Sequence, residues 1–143
     1  MAEIRDYTPE DYLPVRAALE EGGIFYEGRD SAENYRALTE SDLSFILVAE
    51  EEGELVGSIV AQQFGRSLGF LWSAAVAEGF RRRGIATQLM SEAEERLRSN
   101  GVREIWGFVD VVNEASQSLL RSHGWEFNTN NKYYGPWKTT RTF

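Results

Sequence analysis

An apolar strand end, followed at once by an arginine-rich turn and a long helix, constrains this chain more than any other stretch. Residues 74–90 read AAVAEGFRRRGIATQLM. Leu89, Ala93 and Leu97 recur at helical spacing, so the pattern predicts a helix that begins near Arg83. The first turn of a helix leaves backbone N–H groups without partners, and its aligned peptide dipoles make that end partly positive. The stretch therefore predicts a strand that leads into the exposed start of a helix.

Three arginines and a glycine at this helix start indicate an anion site. Gly84 has no Cβ, so a ligand can approach its backbone closely. The side chains of Arg81, Arg82 and Arg83 can each fork onto phosphate oxygens. Because a helix N-terminus binds phosphate groups readily, we predict that a phosphate or pyrophosphate binds here.

Length and composition limit the class of protein. A chain of 143 residues with 42% hydrophobic content predicts one folded domain over residues 1–143. No apolar run reaches the length of a membrane span, and the N-terminus lacks a signal-peptide pattern. The sequence has no cysteine and one histidine, His123, which excludes disulfides, a catalytic thiolate and a His-rich metal site. We therefore predict a cytoplasmic protein without a bound metal.

The charge of the chain indicates which partners it can have. The formal net charge is −8, so the protein repels nucleic acid and anionic membranes on average, and we predict neither as a partner. The arginine triplet is a local exception, which favours a specific anion site. The acidic remainder suits a cationic substrate such as an amine.

The stretch from Arg81 to Ala86 resembles the (Q/R)-x-x-G-x-(G/A) signature of the GNAT family of N-acetyltransferases. In that family the signature binds the pyrophosphate of acetyl-coenzyme A, and the preceding strand pairs with the pantetheine arm. The resemblance implies acetyl-CoA as co-substrate. It also implies a set of coenzyme-binding residues: Ala74, Ala75, Val76, Arg81, Arg82, Arg83, Gly84, Ile85, Ala86, Thr87, Asn113 and Ser116.

The second half of the chain resembles the family's N-x-x-A-x-x-x-Y-x-x-x-G run. Asn113 stands at the asparagine, which in the family reaches the pantetheine or phosphate region, and Ser116 stands at the alanine. Leu120 stands at the tyrosine, which is often the general acid, so this sequence departs from the pattern there. The resemblance covers about residues 3–137, and the size and element order are similar to the ribosomal-protein N-acetyltransferase subgroup.

The resemblance and the periodicity together predict an α/β (α+β) fold of the GNAT type. We expect a central mixed, mostly antiparallel seven-stranded sheet, splayed between strands 4 and 5 and flanked by about four helices. The first helix is expected to bury Leu13, Ala17, Ala18 and Leu19 on one face. The acidic segment 50–54 is interpreted as a solvated hairpin tip without a chemical role.

Acetyl transfer to an amine requires a proton acceptor, because only the neutral amine attacks a thioester. Asp110, at the end of the fifth strand, is the preferred candidate over Glu78, which should lie nearer the phosphates. Tyr133 and Tyr134 could reach the cleft from the seventh strand as acid or substrate clamp. The backbone N–H of Val76 is the expected donor to the developing oxyanion.

The segment between the first two helices lines the acceptor cleft in the family. Phe25, Tyr26 and Glu27 occupy that segment here and are candidates for substrate binding. For the two aromatic residues, packing against the core is an equally good interpretation.

Two functions follow, and a third is weaker. The first is an acetyl-CoA-dependent N-acetyltransferase in which a primary amine attacks directly in a ternary complex; the acceptor could be a protein N-terminus, a lysine or a small molecule. The second, motivated by Leu120, is a catalytically degenerate acyl-CoA-binding regulatory module. The third is an α+β interaction domain that binds no coenzyme. The acceptor, the range of acyl groups and the choice between monomer and homodimer stay open.

Overall fold

The structure is a computed structural model that describes residues 2–110, 114–122, 124–127 and 134–139. Four of these stretches, 108–110, 114–116, 126–127 and 134–139, are described by their backbone.

The described chain contains seven strands and four α-helices. The strands are β1 Glu3–Asp6, β2 Ser44–Glu51, β3 Glu54–Phe64, β4 Leu68–Val76, β5 Glu104–Asp110, β6 Trp125–Phe127 and β7 Tyr134–Thr139. The α-helices are α1 Tyr12–Glu21, α2 Ala32–Glu40, α3 Ile85–Ser99 and α4 Glu114–Ser122, with 3-10 turns at Pro9–Asp11 and Glu78–Phe80. Among the helices of the described residues, none combines the length and apolar character that crossing a bilayer needs.

The described strands form one sheet in the order β1-β2-β3-β4-β5-β7-β6. All neighbours are antiparallel except β4 and β5, which are parallel. The parallel pair is the one joined through a helix, α3, as a crossover between parallel strands requires. The mixed, mostly antiparallel sheet with its flanking helices confirms the predicted fold class.

The parallel pair separates part-way along its length. Pairing between β4 and β5 begins at Leu68 with Glu104 and ends at Leu71 with Gly107. Beyond this point β4 stays paired with β3, while β5 stays paired with β7. A gap therefore opens between the carboxyl ends of β4 and β5, as the sequence predicted.

The sheet has a hydrophobic cluster on each face. One cluster packs α3 against the sheet, and its largest fully buried side chains include Leu47, Ile59, Ile85, Leu89, Leu97 and Ile105. The other packs α1 and α2 against the opposite face, with Val15, Leu19, Tyr35, Ile46, Val48 and Val60. The sheet is therefore covered by α3 on one face and by α1 and α2 on the other.

The predicted buried face of α1 is partly wrong. Val15, Ala18 and Leu19 are buried, whereas Ala17 is exposed and Leu13 is 74% exposed. A spacing of three and four residues places Val15, Ala18 and Leu19 on one side of a helix, and Leu13 lies about half a turn away from Val15. The core therefore contacts the side of α1 that carries Val15, Ala18 and Leu19.

The start of α3 also differs from its prediction by two residues. The helix begins at Ile85 rather than near Arg83. Arg82 and Gly84 have φ angles of +66° and +79°, which belong to the left-handed region and cannot continue a right-handed helix. The arginine triplet therefore forms the turn that precedes the helix.

Candidate active site

The end of β4 directs backbone groups into the gap. The Ala77 N–H donates to the Val56 carbonyl of β3 at 2.7 Å. Because successive residues of a strand point their backbone groups to opposite sides, the N–H and C=O of Val76 face away from β3, toward the gap. The Val76 carbonyl accepts a hydrogen bond from Arg81 Nε at 3.0 Å on that side. The Val76 N–H therefore points away from β3 into the gap, and its role as oxyanion donor stays a prediction.

A β-bulge turns β4 away from β5. Two residues of β4, Ser73 and Ala74, lie opposite the single residue Ile59, between the pairs formed by Trp72 and Ala75. Ser73 has φ +49°, an unusual conformation for a residue with a side chain. The bulge begins two residues after Leu71, which forms the last β4–β5 pair, and bulges bend the strand that carries them. It therefore accounts locally for the gap.

Gly84 occupies the cap position at the start of α3. Its φ of +79° favours glycine for conformational reasons that the sequence motif alone did not reveal. A Cβ added there would meet no protein atom within 4 Å, so it would project into open space at the helix start. The position thus combines a backbone conformation that other residues adopt only under strain with free access for a ligand.

No described side chain caps the first turn of α3, and that turn contains no acidic residue. By contrast, α2 is capped by Ser31, whose Oγ accepts a hydrogen bond from the Asn34 N–H at 3.1 Å. Ile85 is buried and can offer a ligand only its backbone, whereas Thr87 is exposed. The positive end of α3 is therefore open to an anion from outside.

The arginines around this helix start are exposed, and two are positioned by carboxylates. Arg83 Nη1 lies 3.1 Å from Glu51 Oε2. Arg81 Nη2 lies 3.9 Å from Glu21 Oε1. Glu51 belongs to the acidic segment 50–54, which the sequence interpretation left without a role. Its proximity to Arg83 in the structure indicates that it orients that arginine, and no feature of the sequence indicated this. Both guanidinium groups are exposed, so each pair contributes little to stability and its main effect is to orient the arginine.

The loop between α1 and α2, residues 22–31, carries the predicted acceptor residues. Phe25 is half-buried and packs against the α1–α2 cluster, with the Arg16 guanidinium 4.5 Å from its ring centre. Tyr26 is 47% exposed, and Glu27 is also exposed. Phe25 therefore belongs in part to the core, while Tyr26 and Glu27 are accessible to a substrate.

Asp30, in the same loop, is a buried carboxylate that sequence reasoning missed. Its side chain is fully buried and accepts hydrogen bonds from Arg29, Ser73 and Tyr35. Burial would raise the pKa of Asp30, but the hydrogen bonds from Arg29, Ser73 and the Tyr26 amide outweigh it and hold the pKa below its usual range. Burial, reinforced by the charge of Asp30, raises the pKa of Tyr35. No local sequence signal distinguishes Asp30 from an exposed loop acid.

The predicted catalytic residues are described only in part. Asp110 and Tyr134 are backbone partners at the end of β5, which borders the gap, and their side chains lie outside the described residues. Tyr133 and Asn113 also lie outside them, as do His123 and the side chain of Ser116. Glu78 is placed in the 3-10 turn after β4, where its backbone N–H donates to Glu21 Oε1.

Residues 6–125 match the family model described as Acetyltransferase (GNAT) family. The match covers most of the chain. This protein belongs to the GNAT acetyltransferase family. It is accordingly an acyltransferase that uses acetyl-CoA as co-substrate.

Solved structures of several acetyltransferases share this GNAT fold. PaiA N-acetyltransferase from Thermoplasma acidophilum, crystallised with coenzyme A, has 18% identity and a TM-score of 0.86, over 97% of this chain and 98% of that one. The ribosomal-protein-alanine N-acetyltransferase from Brucella melitensis has 25% identity and a TM-score of 0.77, over 95% and 97%. The ribosomal-protein-S18-alanine N-acetyltransferase from Escherichia coli has 16% identity and a TM-score of 0.80, over 97% and 93%. The similar structures thus include two members of the ribosomal-protein N-acetyltransferase subgroup that the sequence resembles.

Leu120 marks where this GNAT member departs from the family pattern. It lies on α4, is 8% exposed and belongs to the cluster that also contains Ile105 and Trp125. An aliphatic side chain cannot donate a proton, so Leu120 serves packing.

Proposed function

We propose that this protein transfers the acetyl group of acetyl-CoA to a primary amine by direct attack in a ternary complex. The amine belongs to a protein N-terminus, a lysine or a small molecule. The observation that carries the proposal is the start of α3, which no described side chain caps and which three exposed arginines precede.

The residues at this helix start fit the coenzyme's diphosphate. We assign the diphosphate to the backbone N–H groups of residues 84–87, with Arg81, Arg82 and Arg83 around it. Backbone donors and guanidinium groups are the chemistry that phosphate oxygens require. Ala86 and Thr87 are not buried, which leaves room for a ligand.

The pantetheine arm is assigned to the open edge of β4. Ala74 is exposed, Ala75 and Val76 are half-buried, and the backbone groups of Val76 face the gap. An unpaired strand edge offers hydrogen-bonding groups to an extended ligand, as it would to another strand. Asn113 and Ser116 are proposed as further coenzyme contacts on the strength of the family resemblance.

Acetyl-CoA supplies an acyl group already activated as a thioester, so the protein mainly binds, orients and moves a proton. We assign the proton acceptor to Asp110 and the role of acid or substrate clamp to Tyr133 and Tyr134. The backbone pairing of Asp110 with Tyr134 at the border of the gap supports this assignment. The Val76 N–H is the proposed oxyanion donor.

We propose that the acceptor amine lies against Phe25, Tyr26 and Glu27. Exposed Tyr26 offers an aromatic face, and exposed Glu27 offers a negative charge to an ammonium group. The net charge of −8 favours the approach of a cationic acceptor.

Buried Leu120, in place of the family's proton donor, motivates the alternative of a non-catalytic acyl-CoA-binding module, against which the family membership argues. One experiment separates the two. Acetyl-CoA is incubated with the protein and a panel of amines that includes N-terminal peptides, lysine peptides and polyamines, while free thiol is measured. Thiol release that depends on an acceptor supports the transferase; saturable binding of acetyl-CoA without such release supports the module.

The assignment of Asp110 has its own test. Asp110→Asn should lower kcat by about a hundredfold at neutral pH and remove the acidic limb of the pH–rate profile, because a general base contributes about that factor. The matched variant Tyr134→Phe changes the paired residue without removing the carboxylate, so it should keep the acidic limb. An unchanged pH–rate profile in Asp110→Asn would remove Asp110 from the mechanism.

A further inference from the structure

A buried carboxylate links the loop between α1 and α2 to the bulge of β4. Asp30 Oδ1 accepts hydrogen bonds from Ser73 Oγ at 2.6 Å and from the Tyr35 hydroxyl at 3.1 Å. Asp30 Oδ2 accepts from the Tyr26 N–H at 3.0 Å and from Arg29 at 2.7 and 3.0 Å. Both oxygens are therefore engaged, as a buried charge requires. The carboxylate joins a loop, a helix and a strand.

Ser73 is the strand's part of this link. It is 6% exposed and adopts φ +49°, a conformation that costs energy unless its surroundings hold it. Its short hydrogen bond to Asp30 provides such a constraint. Since Ser73 directly precedes the segment 74–76, the position of the Asp30 carboxylate influences how the coenzyme-binding end of β4 is presented.

The same carboxylate shapes the loop. Arg29, held by Asp30, also donates to the Ile24 carbonyl at 2.6 Å, and its guanidinium lies 4.5 Å from the centre of the Tyr26 ring. The Asp30 N–H donates to the Tyr26 carbonyl at 2.9 Å. Asp30 therefore fixes Tyr26 through both its side chain and its backbone. A shift of the carboxylate moves the proposed acceptor residues.

We propose that Asp30 and Ser73 are positioning residues that couple the coenzyme-binding end of β4 to the acceptor loop. Acetyl-CoA bound along β4 then holds residues 22–31 in one arrangement, and the acceptor meets an ordered site. The inference rests on the proposed function, because that function assigns β4 to the coenzyme and the loop to the amine. A ligand can order the loop in this way only if β4 and the loop share a contact that differs between their states, and the Asp30–Ser73 bond is that contact.

The test compares amide hydrogen exchange in residues 22–31 with and without saturating acetyl-CoA, and titration calorimetry measures acetyl-CoA binding in parallel. Ser73→Ala removes the donor from β4. Tyr35→Phe removes the other donor to the same oxygen, from α2, and is the matched control. Acetyl-CoA should slow exchange in the loop about tenfold in the wild type and in Tyr35→Phe, and should leave it unchanged in Ser73→Ala. If Ser73→Ala does not fold, Ser73→Gly replaces it, since glycine adopts φ +49° without strain.

The outcomes distinguish the failure of the proposed coupling from the failure of the proposed function. Equal slowing in Ser73→Ala and the wild type would overturn the coupling, and so would the absence of slowing in a wild type that binds acetyl-CoA. A Ser73→Ala protein that folds without binding acetyl-CoA would also overturn it, because the bond would then serve the strand alone. Failure of the wild type to bind acetyl-CoA would overturn the proposed function itself.

Discussion

Glycine is favoured at position 84 for two physical reasons, which experiments can separate. Its backbone is left-handed, with φ +79°, and the space where a Cβ would lie is open. The first reason concerns stability and the second concerns the ligand. Gly65, in the turn between β3 and β4, shares the first reason, with φ +66° and open space around it, but lies away from the arginine turn.

We expect Gly84→Ala and Gly65→Ala to lower the free energy of unfolding by similar amounts, about 1 kcal/mol each, because alanine is strained at positive φ. Only Gly84→Ala should raise KM for acetyl-CoA, by about tenfold, equivalent to about 1.4 kcal/mol of lost binding. Denaturant unfolding and steady-state kinetics measure the two effects. An equal KM in both variants would mean that the ligand does not approach Gly84.

At the scale of elements, the sequence predicted the features that depend on residues close together along the chain. The arginine-rich turn and the helical spacing of Leu89, Ala93 and Leu97 predicted α3 to within two residues of its start, because these signals act within a few residues of the chain. The bulge at Ser73 and the burial of Asp30 could not be predicted, because each depends on the other across 43 residues. The turn at Gly84 was recognised as a motif, while its backbone conformation was not.

The link between the α1–α2 loop and β4 makes a prediction about pH. The folded-state pKa of Asp30 lies below its ordinary value of 3.8. The charged carboxylate therefore stabilises the fold fully above the unfolded-state pKa, and this contribution is lost as the pH falls through the folded-state pKa. Asp30→Asn should lower the free energy of unfolding by roughly 2–4 kcal/mol at neutral pH, because the buried donors around position 30 lose the charged acceptor that they bind.

The difference in unfolding free energy between wild type and Asp30→Asn should stay constant above about pH 5 and shrink below the ordinary carboxyl pKa. Denaturant unfolding over a pH series measures it. Asp11, whose pKa is lowered by Arg5 against the effect of burial, is present in both proteins and cancels. The exposed Asp42, replaced by asparagine, is the control. A difference that does not change with pH would contradict a charged, buried Asp30.

At the scale of the whole molecule, the open edge of the sheet favours coenzyme binding, whereas the net charge opposes it. The gap between β4 and β5 offers an open edge to the coenzyme, while a net charge of −8 repels a polyanion. Binding must therefore depend on the local arginines and on the start of α3.

The diphosphate should accordingly supply most of the stabilisation that the coenzyme gives to the fold. At about 100 times its Kd, acetyl-CoA should raise the free energy of unfolding by about 2.7 kcal/mol. Acetyl-pantetheine, which lacks the diphosphate, should give about 0.4 kcal/mol at the same concentration, if the lost phosphate bonds weaken binding about a hundredfold. Denaturant unfolding with each ligand measures this. Equal stabilisation by both ligands would place the binding energy on β4 rather than on the arginine turn.

A crystal structure of the protein with acetyl-CoA tests the central claim most directly. We expect diphosphate oxygens at about 2.7–3.2 Å from the backbone N–H groups of residues 84–87, with the pantetheine arm in the gap beside β4. A coenzyme bound elsewhere, or a diphosphate that contacts the arginine side chains but none of these N–H groups, would contradict the site proposed for this protein.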